Sequence, residues 1–277
     1  MENNNSREIS LLGKVFNSPL DELIKVDAGD KTTEGLYKKV RISFLKSDLD
    51  ELKSIINSID NSQTCLLKAS KLRLSILENN VSESQIQEVL NLINFDLNWD
   101  PELLGLSAIS FSLIKKDILA REYYKKAQAA FRLIGLEWRS LISYQNLVNL
   151  NEKLGVEQNM INHYESIARR ANKSKLNSIE GSALLNLSIQ YESKGKVLYA
   201  IRLIDEAIEL LKENQLSNEY FLALGQKASL EYNMGHYDES VELINEMKFS
   251  THPLIINKVD YLERKIINWP SSSLENL

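Results

Sequence analysis

The segment LLNLSIQYESKGKVLYAIRLIDEAIELL, residues 184–211, decides the fold of this chain. Leucines and isoleucines recur at helical spacing on both sides of one glycine, Gly195. Glycine adopts the left-handed conformation that ends a helix without the steric cost of a Cβ atom, so Gly195 predicts a tight turn. The small residues Ser188 and Ala200 lie within the apolar stripes, where they let two antiparallel helices approach closely. The segment therefore predicts a helix hairpin.

The same hairpin pattern recurs every forty residues along the chain. Gly155, Gly195 and Gly235 each separate two helical patterns, and Lys115 holds the same position one repeat earlier. Mostly small residues recur seven positions before and five positions after these turns: Ala108, Val148, Ser188 and Ala228 before, and Ala120, Met160, Ala200 and Ser240 after. One hairpin leaves an apolar face uncovered, so successive hairpins are expected to stack into a common core.

These repeats resemble the tetratricopeptide repeat family. The segment 184–211 carries that family's leucine, small residue, tyrosine, turn glycine and two alanines at matching intervals, and EYNMGHYDESVELI (231–244) matches its turn. The units are longer than the family's usual ~34 residues. In this they are similar to bacterial regulatory tetratricopeptide proteins, including quorum-peptide receptors. HEAT-type repeats also have this length, but the turn chemistry favours the tetratricopeptide reading. The resemblance implies an all-α, right-handed solenoid of stacked antiparallel helix hairpins.

The repeat pattern also predicts how the chain is organised. Weaker helix–turn–helix patterns at 33- to 35-residue spacing precede the strong units, and an amphipathic stripe follows the last turn. The predicted organisation is an N-terminal cap or flexible docking segment (1–30), a solenoid (31–252, with weak units to about 100 and strong units over 101–252), a C-terminal capping helix (253–269) and a tail (270–277).

Composition limits the class of protein. The formal net charge of −5 argues against a nucleic-acid coat, which needs a local excess of cations. Cys65 is the only cysteine, so no internal disulfide can form and a reducing compartment is expected. The first residues lack the apolar core of a secretory signal, and the apolar stretch at about 103–114 is too short to cross a bilayer. We therefore expect a cytoplasmic chain that does not enter a membrane.

No motif in the sequence indicates catalysis. The three histidines, His163, His236 and His252, have no partner at metal-ligand spacing, and no glycine-rich phosphate loop or hydrolase elbow occurs. Cys65 lies in an apolar pattern and reads as a small core residue rather than a nucleophile. The sequence predicts a protein without enzymatic activity, cofactor or metal site.

The resemblance places the binding surface on the first helix of each hairpin, because these helices line the concave groove of tetratricopeptide solenoids. A carboxamide recurs nine positions before each turn, at Asn146, Asn186 and Gln226. Carboxamides donate and accept hydrogen bonds and so match the backbone of an extended peptide. The predicted peptide- or partner-binding residues are Gln145, Asn146, Asn149, Lys153, Leu185, Asn186, Ile189, Leu222, Gln226, Tyr232 and Asn233.

Charge is distributed unevenly along the chain and offers a second candidate surface. Basic residues are frequent from Lys115 to Arg139 and again from Arg169 to Lys175, whereas acidic residues dominate from Asp205 to Glu246. Such runs are usually solvated outer faces, but a basic face could also meet an acidic partner. The residues of this alternative patch are Lys125, Lys126, Arg169 and Arg170.

Two functions remain open at this point. The first is a protein- or peptide-binding scaffold or adaptor that uses the groove. The second is a peptide-gated regulatory sensor, similar to the quorum-peptide receptors but without a DNA-binding domain. The sequence leaves the identity of the partner and the oligomeric state open.

Overall fold

The computed structural model describes residues 35–36, 39–40, 43–44, 48–61, 64–92, 101–156, 159–212, 218–250 and 253–267, and the regular secondary structure in these ranges is helical. No strand occurs in these ranges, and none of their helices is both long and apolar enough to cross a membrane. The predicted segments 1–30 and 270–277 lie outside the described residues, as do His252 and the side chain of Cys65.

The helices divide between two compact units, 1–156 and 157–277. The first unit contains α1 (Leu49–Ser58), α2 (Thr64–Leu77), α3 (Glu83–Leu90), α4 (Pro101–Leu113), α5 (Asp117–Leu133) and α6 (Glu137–Lys153). The second unit contains α7 (Ile161–Lys173), α8 (Asn177–Ser193), α9 (Val197–Leu211), α10 (Asn218–Met234), α11 (Tyr237–Met247) and α12 (Pro253–Ile267). Within each unit, every helix packs against the next one in sequence. The predicted all-α architecture of stacked helix hairpins is confirmed.

The tight turns have the predicted backbone conformation. Gly155, Gly195 and Gly235 have φ angles of 62°, 73° and 86°, and Lys115 adopts the same left-handed conformation with φ of 63°. After each turn residue, the next amide donates to the carbonyl five residues earlier, as in the bond of 2.9 Å from Lys196 N to the Tyr191 oxygen. This is the Schellman arrangement, which satisfies carbonyls at the end of the first helix.

The small residues lie at the helix contacts, as the repeat predicts. Ala108, Ser188 and Ala228 are fully buried in first helices, and Ala200 and Ser240 are fully buried in second helices. Ser240 Oγ donates a hydrogen bond of 2.9 Å to the Ala228 carbonyl oxygen and so joins the two helices of the last hairpin.

The weak repeats before residue 100 also form helices. Ser82 begins α3 with a capping box, in which its hydroxyl accepts from the Gln85 amide and the Gln85 side chain accepts from the Ser82 amide. Their apolar side chains form buried clusters within the first unit, for example around Leu52 and Leu66.

Helix α12 packs against α10 and α11 at the end of the second unit. Ile255, Val259 and Leu262 are buried on one side of this helix, whereas Asp260 and Arg264 are exposed. An amphipathic last helix of this kind covers the apolar face that a final hairpin would leave open.

Candidate functional site

One face of α8 in the second unit is partly open to solvent and carries predicted groove residues. Ser182 and Asn186 are half-buried and Ile189 is 41% exposed, and their spacing of four and three residues places them on one side of the helix. Leu222 on the neighbouring first helix, α10, is 39% exposed. Apolar side chains are thus accessible beside a carboxamide, as binding of an extended peptide requires.

A polar network joins these faces of α8 and α10. Glu192 accepts hydrogen bonds from Gln226 Nε2 at 2.7 Å and from Asn233 Nδ2 at 3.3 Å. Gln226 is only 8% exposed, so the carboxamide that we expected to face a peptide already donates within the protein. The bond to Glu192 uses one of the two N–H donors of Gln226 Nε2, so this carboxamide is already partly engaged within the protein.

The structure buries two further predicted groove residues. Leu185 is 7% exposed because α8 packs against α7, α9 and α10. Tyr232 is buried where α12 covers α10, and its hydroxyl donates to the Lys265 carbonyl oxygen at 3.0 Å. The exposure that we expected at these two positions is therefore absent, because neighbouring helices occupy the space in front of them.

Helix α12 brings two lysines to this network that the sequence did not indicate. Burial lowers the pKa of Lys258, although Glu192 acts in the opposite direction, and Lys265 lowers the pKa further. Lys265 Nζ lies 5.1 Å from the centre of the Tyr232 ring and donates to Asn233 Oδ1 at 3.4 Å. The sequence suggested only a capping role for α12. An amphipathic pattern shows which side of a helix is polar, but it does not show which residues of other helices those polar side chains contact.

The predicted groove residues of the first unit lie on α6. Gln145 and Asn146 are half-buried, whereas Asn149 and Lys153 are exposed. Lys153 Nζ donates to both carboxylate oxygens of Asp117, at 3.1 and 3.0 Å. Lys153 therefore links α6 to the start of α5, and any peptide carboxylate would compete with Asp117 for it.

A cavity of about 70 Å³ lies entirely within the first unit. Asn146 and Ile142 line one side of it, so it adjoins the predicted groove residues of α6. Most of its remaining lining is apolar or aromatic: Phe44, Leu106, Ile109, Tyr124 and Phe131. Burial raises the pKa of Tyr124, so its hydroxyl stays neutral and adds no negative charge to the cavity.

Three charged residues meet at this cavity. Arg73 Nη2 lies 3.4 Å from Glu102 Oε1, and Arg139 Nη2 lies 3.2 Å from Glu102 Oε2. Arg73 is 1% exposed, and the Arg139 guanidinium lies over the Trp138 ring with 4.3 Å from Cζ to the ring centre. The sequence analysis missed this cluster, because its members come from α2, α4 and α6 and do not share a repeat position.

The alternative basic patch consists of residues on second helices. On α5 of the first unit, Lys125 is exposed, and Lys126 forms an ion pair of 2.6 Å with Glu122 one turn away. On α7 of the second unit, Arg169 is exposed and Arg170 is half-buried. Their role in binding an acidic partner stays a prediction.

The histidines and carboxylates do not assemble a metal site in the described parts of the chain. No group of three or more potential ligands occurs there. His236 Nδ1 lies 2.7 Å from Glu231 Oε2 on the surface next to the last turn, and His163 is half-buried on α7.

Comparisons with known proteins identify the fold. No protein-family model and no curated protein matches the chain. The structure is similar to that of NprR in complex with its cognate peptide NprX, with a TM-score of 0.67 and 16% identity over 95% of this chain and 83% of that chain. It is also similar to a Rap protein complexed with competence and sporulation factor, with a TM-score of 0.63 and 13% identity over 93% of this chain and 78% of that chain.

A third similar structure is aspartyl phosphate phosphatase F from Bacillus subtilis, with a TM-score of 0.61 and 13% identity over 97% of this chain and 81% of that chain. Identities this low establish the fold alone. The predicted tetratricopeptide-like helical-repeat fold is thus confirmed.

Proposed function

We propose that this chain is a non-enzymatic protein- or peptide-binding scaffold or adaptor whose first helices hold an extended segment of a partner. The observation that carries the proposal is the open face of α8 and α10. There, Ile189 and Leu222 are accessible beside Asn186, and the Glu192 network holds the two helices together. The complexes of NprR with its cognate peptide NprX and of a Rap protein with competence and sporulation factor support it, since both proteins have this fold.

Binding would combine backbone hydrogen bonds with apolar contacts. The Asn186 side chain can donate to a peptide carbonyl and accept from a peptide amide, which does not depend on peptide sequence. Each such bond contributes ~1 kcal/mol net. Ile189 and Leu222 would add selectivity through the peptide side chains that they contact, at about 25 cal/mol per Å² of apolar surface buried.

The test uses a mixture of synthetic hexapeptides, acetylated at the N-terminus and amidated at the C-terminus, passed over the immobilised protein and identified by mass spectrometry. Replacing Asn186 by alanine should weaken retention of the selected peptides about fivefold, since one lost bond of ~1 kcal/mol is somewhat less than the ~1.4 kcal/mol that corresponds to a decade. Folding, followed by circular dichroism, should barely change.

The control reverses charge at Arg169 and Arg170 on the second helix α7, so it changes no residue of the first helices. If the asparagine variant retains peptides normally and the Arg169→Glu/Arg170→Glu variant does not, the proposal fails. The basic patch then becomes the binding site.

A peptide-gated regulator is the second candidate, favoured by the likeness to NprR bound to its cognate peptide. In this case a bound peptide would change how the repeats are arranged, whereas an adaptor would keep its shape. Small-angle scattering with and without a selected hexapeptide distinguishes the two. Purification from the native host gives an independent answer, since a sensor would carry a short peptide and an adaptor a stoichiometric protein.

The absence of enzymatic activity is part of the proposal, and the likeness to a phosphatase makes it testable. An aspartyl phosphate is an acyl phosphate, so acetyl phosphate is a suitable small substrate. Release of inorganic phosphate from acetyl phosphate above the uncatalysed rate would contradict this part. We further propose a cytoplasmic location, in keeping with the single cysteine.

A further inference from the structure

We propose that the cavity of the first unit receives the carboxylate side chain of an aspartate or glutamate in a peptide bound along α6. The inference rests on the proposed function, because it assigns one specificity-determining contact of the peptide. The cavity is the space lined by Arg73, Glu102, Arg139, Ile142 and Asn146, together with the apolar side chains already described.

The charges that line the cavity favour an anion. Among the described residues, two guanidinium groups and one carboxylate lie along its wall, and the Tyr124 hydroxyl is neutral. A guanidinium presents its N–H donors in a planar fork that fits a carboxylate, and such charge-assisted bonds are stronger than neutral ones. A carboxylate entering the cavity therefore meets complementary charge in a partly desolvated place, where electrostatic attraction exceeds that in water.

The arginines are held in position before any ligand arrives. Arg73 is 1% exposed and Arg139 lies against the Trp138 ring, while Glu102 contacts both guanidinium groups. A site that is already ordered loses little conformational entropy on binding. Surface arginines on flexible stems would lack this advantage.

The size and apolar lining of the cavity favour an acidic side chain over a larger group. At 10–15 Å³ for each water-sized sphere, 70 Å³ holds roughly five to seven such groups, which is close to one glutamate side chain. Leu106, Ile109 and Ile142 would contact the methylene groups of that side chain, while its carboxylate reaches the arginines. A C-terminal residue would need space for its backbone and side chain as well.

The cavity lies where a peptide on α6 could reach it. Ile142 is 37% exposed and lines the cavity together with Asn146, four residues further along the same helix. A peptide backbone bonded to the Asn146 carboxamide would thus have a neighbouring side chain close to the cavity. The carboxamide would fix the backbone, and the cavity would select the residue type.

The experiment passes the same amidated hexapeptide mixture over the protein and measures the ratio of acidic peptides to their asparagine and glutamine counterparts. The wild-type protein should enrich acidic peptides by at least tenfold. Arg139→Met removes one guanidinium but keeps an unbranched stem, and should reduce the enrichment to within twofold of unity. The control is Arg132→Met, which removes an exposed arginine of α5 and should leave the enrichment unchanged.

A second variant tests the site in the opposite direction. Glu102→Gln removes the carboxylate that competes with the ligand, so it should increase the acidic enrichment above that of the wild-type protein. This variant also decides the matter if Arg139→Met fails to fold. An unchanged or lower enrichment in folded Glu102→Gln would overturn the assignment.

The remaining outcomes separate this inference from the proposed function. If the wild-type protein retains hexapeptides without acidic enrichment, or if the enrichment persists in Arg139→Met, the cavity site is wrong and peptide binding stands. If no hexapeptide is retained, both proposals fail. A matched hexapeptide mixture with free C-termini gives the last comparison. If the protein retains these peptides regardless of their side chains, the cavity binds a terminal carboxylate and the side-chain assignment is overturned.

Discussion

Replacing Gly181 with alanine tests how closely the helices of the second unit approach each other. Gly181 lies in α8 with a standard helical backbone, so it is not needed for a turn. A Cβ atom built at this position would lie 2.7 Å from Leu211 Cγ and 3.2 Å from the Ala207 carbonyl oxygen on α9. Normal carbon contacts are about 3.5–4.0 Å, so either Leu211 or the helix backbone must move by close to 1 Å.

Two opposing effects set the expected change in stability. Alanine is favoured over glycine inside a helix by ~1 kcal/mol. Forcing an additional carbon into a closely packed contact costs about 1–3 kcal/mol. Leu211 Cγ is a branch point rather than a flexible end, and the Ala207 oxygen belongs to the backbone, so we place the packing cost near the top of this range. The net loss in the free energy of unfolding should be about 1–2 kcal/mol.

Two other helical glycines serve as matched controls for the same substitution. At Gly225 the new Cβ would meet Met247 Cε at 2.9 Å, but this is the flexible end of a side chain and can move aside. At Gly105 the nearest atom is Phe131 Cε2, at an ordinary 3.9 Å. Gly105→Ala should therefore raise stability by up to ~1 kcal/mol, and Gly225→Ala should fall between the other two.

Urea unfolding followed by circular dichroism measures these differences, with thermal unfolding as a second readout. For a protein of this size, 1–2 kcal/mol corresponds to a fall in Tm of roughly 2–8 °C. A Gly181→Ala protein as stable as Gly105→Ala would show that α8 and α9 are not in such close contact, and the explanation would be wrong.

Four further substitutions test single positions. Ser188 Oγ is buried and has no hydrogen-bond partner among the described residues, so Ser188→Ala should stabilise the protein by ~1 kcal/mol in urea unfolding. Ser240→Ala should lower stability by ~1 kcal/mol, because Ser240 donates across its hairpin; equal effects at the two serines would contradict this account. Lys115→Gly should raise Tm, because Lys115 has a left-handed backbone conformation that costs a residue with a Cβ atom up to ~1 kcal/mol and costs glycine little. A lower Tm would show that Lys115 is not strained in this way. Burial and the 2.5 Å bond to Glu246 raise the pKa of Tyr220 to about 12, so the contribution of its neutral form to stability is present below pH ~10 and is lost as pH rises through 12. Stability of Tyr220→Phe should fall less steeply over this interval in urea unfolding, and parallel profiles would rule out the shift.

The regular part of the fold was predictable from the sequence because it depends on local patterns that repeat. Gly195 specifies the left-handed turn, and small residues such as Ser188 and Ala200 specify where the two helices cross. Each of these requirements acts within one hairpin. The same residue types recur every forty residues without a gap, so the same hairpin is predicted in each strong repeat. The all-α hairpin architecture follows from these requirements, whatever the surface residues are.

The accessible surface depended on neighbours that a helical pattern does not specify. Leu185 and Tyr232 occupy predicted groove positions, but flanking helices bury them, and Gln226 bonds to Glu192 on another helix. Periodicity gives the side of a helix that a residue occupies. It does not give how many helices pack on that side. Both Ile189 and Leu185 were expected to be exposed, but only Ile189 is, because flanking helices bury Leu185.

Only the tertiary structure brings together the charged residues of the cavity. Arg73, Glu102 and Arg139 lie on three helices, and the intervals between them match neither the forty-residue repeat nor each other. A repeat defines residues that are equivalent from hairpin to hairpin, whereas these three are not equivalent. Their contact arises from how α2, α4 and α6 pack, because the position of a long side chain depends on that packing and not on the local pattern.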